Sequence, residues 1–145
     1  MSQGDKEVDK ELEKIRQKKV QQLKYKITHP EKPKPKFDTG GQVFMLSVLN
    51  FWDLVRKYEK VVIEGYADWC RPCKALEPIL KKLANMHRDI LFAKLDIDQS
   101  AVIAEQFQIQ GVPTILYFKN GILYDRTTGA LPIREMEAHI RRFLG

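Results

Sequence analysis

An apolar run, Val61 to Tyr66, leads almost directly into Trp69-Cys70-Arg71-Pro72-Cys73-Lys74, the segment that holds both cysteines of the chain. The run reads as a buried strand, and a proline two residues past Cys70 suits the first turn of a helix. Two thiols at i and i+3 of one helix lie on roughly the same face, close enough to join without unwinding it. The spacing therefore favours reversible bond formation over packing. Cys70 falls at the helix N-terminus, where unpaired N–H groups and about half a positive charge stabilise a thiolate, so it is the expected attacking sulfur.

The 145 residues have room for one domain with a full core plus an appendage. Charge separates the two. Residues 1 to 36 hold eleven Lys or Arg against six Asp or Glu, and the remaining 109 hold fourteen against thirteen, so the basic balance belongs to the N-terminal segment. From Asp5 to about Ile27 that segment is free of Gly and Pro, with Val8, Leu12, Ile15, Val20, Leu23 and Ile27 forming an imperfect stripe. The spacing predicts a charged helix over residues 1–28; the step of five after Ile15 argues against a long coiled-coil seam. Residues 29–36, His29-Pro30-Glu31-Lys32-Pro33-Lys34-Pro35-Lys36, read as an extended basic linker, and the domain proper occupies 37–145. The interleaved acids and scarce aromatics of the segment argue against nucleic-acid binding. The first residues lack the apolar core of a signal peptide, and the longest apolar stretch, near Phe44 to Trp52, is too short to span a bilayer. A cytoplasmic protein that uses no membrane is expected, where a lone C-x-x-C is catalytic or metal-binding more often than structural.

Within the domain the pattern alternates. Strands are predicted at Val43–Leu46, Val61–Tyr66, Ile90–Asp96, Thr114–Lys119 and Leu123–Thr127. Helices are predicted from Asn50, as N-cap, to about Tyr58, from Cys70 to about His87, from Ser100 to Phe107 and from Leu131 to Leu144. In the C-x-x-C helix Leu76, Ile79, Leu80 and Leu83 face the core, and Pro78 predicts a kink. Asn120-Gly121 is a hairpin signal of type I′. The class is α/β: a mixed sheet, parallel where helices intervene and antiparallel at that one turn, with helices on both faces.

At this level of detail the stretch from about Gln42 to Leu144 resembles thioredoxin. The resemblance rests on Ala67-Asp68-Trp69-Cys70-Arg71-Pro72-Cys73-Lys74, Pro78, Ala93-Lys94-Leu95-Asp96-Ile97-Asp98, Gly111-Val112-Pro113-Thr114, Phe118-Lys119-Asn120-Gly121 and Gly129-Ala130. Several motifs in the right order are far more specific than a C-x-x-C alone. Residues 1 to 36 have no counterpart in a minimal thioredoxin.

The resemblance implies a thioredoxin fold in which Cys70 attacks a substrate disulfide and Cys73 resolves the mixed disulfide. It places Glu64 where the family has a buried aspartate, as candidate proton acceptor for Cys73, with Lys94 as its candidate partner. The alternative is that Lys94 holds Glu64 as a simple ion pair. Pro113 matches the family's cis-proline, with Val112 turning its backbone toward substrate; Trp69, Tyr66, Gly129 and Ala130 complete a shallow apolar rim, and Pro72 sets the cysteine spacing. Arg71 replaces the family's glycine. Its guanidinium either favours the Cys70 thiolate by about 0.5 to 1 kcal/mol or only shapes substrate preference. His29, His87 and His139 are scattered and show no ligand spacing with the cysteines, so no metal is expected.

The implied activity is protein-disulfide reduction, with electrons from a thioredoxin reductase, disulfide-containing proteins as substrates, no bound cofactor and a monomeric state. Two rivals stay open. One is a disulfide oxidant or isomerase, favoured if Arg71 raises the potential; the other is an adaptor that uses the fold for binding and docks a partner through the basic helix.

Overall fold

The structure, a computed structural model, describes residues 3–28 and 38–144. The chain divides into two units, 1–36 and 37–145. Helix α1 spans Gln3–Thr28, and within its own unit Val8, Leu12, Ile15, Val20 and Leu23 are exposed. The predicted linker, His29 included, lies outside the described residues.

In the second unit the elements run β1 (Val43–Leu46), α2 (Phe51–Lys57), β2 (Lys60–Tyr66), α3 (Arg71–Met86), β3 (Leu91–Asp96), α4 (Ala101–Gln106), β4 (Thr114–Lys119), β5 (Ile122–Thr128) and α5 (Ile133–Leu144). Their order is the predicted one, with boundaries moved by at most two residues. The sheet order is β1-β3-β2-β4-β5. Strand β2 is central: it pairs parallel to β3 and antiparallel to β4, and β1 joins β3 in parallel.

One expectation is corrected here. A single antiparallel pair is predicted, at the Asn120-Gly121 turn; there are two, β2·β4 and β4·β5. The reason lies in the connection after β3. Helix α4 has only 6 residues, and the chain turns back directly after it, so that Thr114 at the start of β4 pairs with Gly65 at the end of β2 and β4 runs antiparallel to β2. Gln108, at φ 53°, makes the reversal, and Arg126 of β5 holds it by donating to the carbonyls of Phe107 at 2.6 Å and Gln108 at 3.2 Å. Asn120 and Gly121, at φ 52° and 77°, have the two left-handed residues a type I′ turn requires.

Side chains alternate across β2, so two cores form. Val61 and Ile63 join Phe51, Val55, Leu95, Ile103, Leu116 and Phe118 on the α2/α4 side. Val62 joins Leu76, Leu80, Leu83, Phe92, Tyr117, Met136 and Ile140 on the α3/α5 side. Ile79 is only half-buried, and α3 continues through Pro78. Asn50 does occupy the cap of α2, but its side-chain Oδ1 accepts from Ser47 N at 2.7 Å rather than from a helix N–H. The histidines make local pairs: His87 Nε2 with Glu137 at 3.0 Å, and His139 Nδ1 with Asp125 while its ring stacks on Tyr117.

Phe51 is fully buried and meets the rings of Trp52, Phe107 and Phe118 at 5.1 to 6.1 Å between centroids. Phe51→Ala should cost about 3 to 5 kcal/mol, read as a lower denaturant midpoint at unchanged slope.

Candidate active site

Strand β2 ends at Tyr66, and three residues later the chain enters α3 with Cys70 as its N-cap. Cys70 has extended backbone, φ −89° and ψ 109°, as a cap residue should, and its sulfur takes the place of a capping oxygen. Cys70 Sγ accepts the backbone N–H of Cys73 at 3.3 Å. The expected electrostatic setting is therefore present as a contact: one helical N–H is aimed at the sulfur that must carry negative charge. Pro72 stands in the first turn, where its missing N–H deprives no carbonyl of a partner.

Cys70 and Cys73 are joined in a disulfide with Cα atoms 5.3 Å apart. Both are buried, in a small cluster with Ala67 against which Tyr66, Ile97 and Val112 pack. Val112 is thus beside the cysteines. The Val112–Pro113 bond is cis, and the Pro113 carbonyl accepts from Gly129 N at 2.8 Å, which ties the end of β5 to the entrance of β4. Gly129 is at φ 95°, a conformation that suits glycine. Arg71, Pro72 and Ala130 are exposed.

Trp69 is 70% exposed, yet its indole is fixed: Nε1 donates to Asp98 Oδ2 at 3.1 Å. Asp98 is in turn placed by Asp96, whose Oδ1 accepts the backbone N–H groups of Asp98 and Gln99 at 2.9 and 3.2 Å. Sequence reasoning gives neither aspartate a role. The available signal is Asp-x-Asp beginning at the last residue of a strand, the pattern of a side chain closing its own turn.

Glu64 lies on the α3 side of β2, since it shares the face of Val62. It is fully buried, and neither carboxylate oxygen has a hydrogen-bond partner among the described residues. Burial pushes its pKa up from 4.5 to about 7, with Lys94 pulling it down and Glu77 pushing it up. The expected ion pair between Lys94 and Glu64 is not formed. Lys94 is the register neighbour of Glu64 on β3, but its ammonium donates to Glu77 Oε1 at 2.6 Å and sits 4.1 Å over the Tyr66 ring. A lysine reaching Glu77 keeps its charge near water, because Glu77 is half-exposed; reaching Glu64 would bury it.

A sequence model of the thioredoxin family matches residues 42–142. The chain belongs to the thioredoxin family. It is 37% identical over 84 residues to a thioredoxin of Mycoplasmoides gallisepticum, covering 58% of this chain and 84% of that protein. Thioredoxin 1 of Chlorobaculum tepidum is 38% identical over 95 residues, 64% of this chain and 94% of its own. Among solved structures, oxidised mitochondrial thioredoxin 3 of Saccharomyces cerevisiae superposes with a TM-score of 0.65 at 33% identity, covering 70% of this chain and 95% of that one. The long form of spinach chloroplast thioredoxin F gives 0.69 at 29% identity, covering 74% and 90%. The protein is accordingly a thiol–disulfide oxidoreductase of the thioredoxin type, a protein-disulfide reductase, and the Cys70–Cys73 pair fits its redox centre.

The raised pKa of Glu64 has a sign that stability can report. A carboxyl that holds its proton more tightly folded than unfolded stabilises fully below 4.5, and that contribution is lost as pH rises to about 7. At about 1.4 kcal/mol per pH unit the loss is about 3 kcal/mol. Asp38, Glu77 and Glu137 are shifted the other way, so their effects fall below their ordinary pKa values. Denaturation of the oxidised protein at pH 4.5 and 8 should show the decline, and Glu64→Gln should flatten it.

Proposed function

We propose that the protein reduces protein disulfides by a two-step exchange in which Cys70 attacks, Cys73 resolves and Glu64 takes the proton of Cys73. The observation that carries this reading is the Cys70–Cys73 disulfide at the first turn of α3, with a helical N–H on Cys70 Sγ. The Cys70 thiolate attacks one substrate sulfur; the substrate S–S bond breaks, and the departing thiolate is protonated from solvent. Cys73 then gives its proton to the Glu64 carboxylate, directly or through one water, and its thiolate attacks Cys70 Sγ. The second substrate sulfur leaves as thiolate. Two electrons have passed to the substrate and the Cys70–Cys73 disulfide remains.

Thioredoxins act on disulfide-containing substrates and are recharged by thioredoxin reductase, and we assign this chain the same place: an electron carrier between such a reductase and its substrates. A reducing compartment such as the cytoplasm suits a dithiol that must be regenerated. A monomer suffices, since both sulfurs, the capping N–H and Glu64 come from one chain. Trp69, Arg71 and Pro72 form the exposed approach to Cys70, and the Val112 backbone beside cis-Pro113 offers an edge for an extended substrate segment. Residues 1–36 act as an accessory.

Reduction of insulin disulfides by dithiothreitol, followed as turbidity, tests the assignment. The full chain should accelerate it strongly, Cys70→Ser should abolish the acceleration, and a chain beginning at Phe37 should retain it. Cys73→Ser should accumulate a covalent mixed disulfide with substrate. No acceleration by the full chain would transfer the assignment to an oxidant or a binding adaptor.

A further inference from the structure

Lys94 has two carboxylates within its reach and pairs with the one that does no chemistry. Three observations bear on this. Lys94 and Glu64 are side by side in the β2–β3 register, so both side chains rise toward α3. The ammonium nevertheless bonds Glu77 at 2.6 Å and is seated on the Tyr66 ring. Both oxygens of Glu64 are buried with no hydrogen-bond partner among the described residues.

The surroundings of Glu64 leave little else to set its charge. On its own strand the next residue on that face is Tyr66; on β3 it is Lys94; on β4 the register partner, Ile115, is apolar. Helix α3 contributes Glu77, which also feels Lys74 and Lys81. The Lys94–Glu77 pair borders a cleft that Val43, Leu80 and Lys81 complete, so the pair is open to solvent where Glu64 is not. A turn of the Lys94 side chain toward Glu64 would offer that carboxylate the donor it lacks.

We infer that Glu77 is a positioning residue: by holding Lys94 on the cleft side it denies Glu64 a hydrogen-bonded counter-ion and leaves the Glu64 carboxyl free to take up and release a proton. This rests on the reading of Glu64 as proton acceptor. Glu77 acts twice in the same direction, by occupying the ammonium and by placing its own negative charge near Glu64. Without Glu77, Lys94 is released to Glu64, the carboxylate stays ionised to lower pH, and it becomes a weaker base for Cys73.

The test is a carbon-13 NMR titration of the glutamate carboxyls in the full-length oxidised protein, where neither cysteine titrates, run on wild type, Glu77→Gln, Lys94→Met and the double variant. Glu77→Gln should lower the Glu64 midpoint by about half a pH unit or more. In the Lys94→Met background the same change should have less than half that effect, because no ammonium remains to be released. A midpoint that does not move, or one that moves equally in both backgrounds, overturns the inference. Glu77→Asp, which keeps the charge on a shorter arm, should fall between, and serves alone if Glu77→Gln does not fold. The acid limb of insulin reduction separates the two claims. If the NMR midpoint falls and the limb does not follow, Glu64 is not the proton acceptor, while the hold of Glu77 on Lys94 stands.

Discussion

Strand β2 is hydrogen-bonded on both sides and packed on both faces, and its final residues have to pass from that dry interior to a redox pair a few residues later. The placement of each functional group follows from this double burial. It fixes the start of α3, because Leu76, Leu80 and Leu83 must seat on the same face as Val62. It thereby sets Cys70 at the cap and Cys73 on the first turn. It also makes Glu64 costly, since any carboxylate on this strand is removed from water. A protein can keep such a group only by neutralising or pairing it, and here the neighbouring lysine is engaged elsewhere.

The parts legible in the sequence are those governed by local physics. Period-two alternation in Val61-Val62-Ile63, the Asn120-Gly121 turn and the proline of the C-x-x-C segment each act within a few residues, and the corresponding elements are where they are expected. The direction of β4 is different. Alternation of strand and helix suggests a parallel crossover, and the turn at the left-handed Gln108 directly after α4 reverses it. Arg126, which holds that reversal, comes from a strand formed later in the chain, and no local pattern announces it.

The site shows the same division. Cys70, Cys73 and Val112 are brought together, and the Val112–Pro113 bond is cis. The choice made by Lys94 was not legible. Sequence places Lys94 beside Glu64, and the strand register agrees; the competing carboxylate is on a helix, four residues past Cys73, and becomes a neighbour only once α3 lies across the sheet. The Asp96–Asp98–Trp69 chain is half local and half tertiary, so its turn could be read from the residues and its indole contact could not.

The sheet of residues 37–145 has two open edges, and they are guarded differently. At one, β1 is four residues long, too brief to template much backbone pairing. At the other, β5 has seven residues and exposes Ile122 and Tyr124, which by itself invites a foreign strand. It carries Asp125 and Arg126 directly after its apolar residues, and its ladder with β4 slips at Tyr117/Phe118, adding twist. Under the proposed function, in which extended segments of other proteins approach Val112, such guarding keeps the remaining backbone edges from capturing them, or copies of the chain itself, elsewhere.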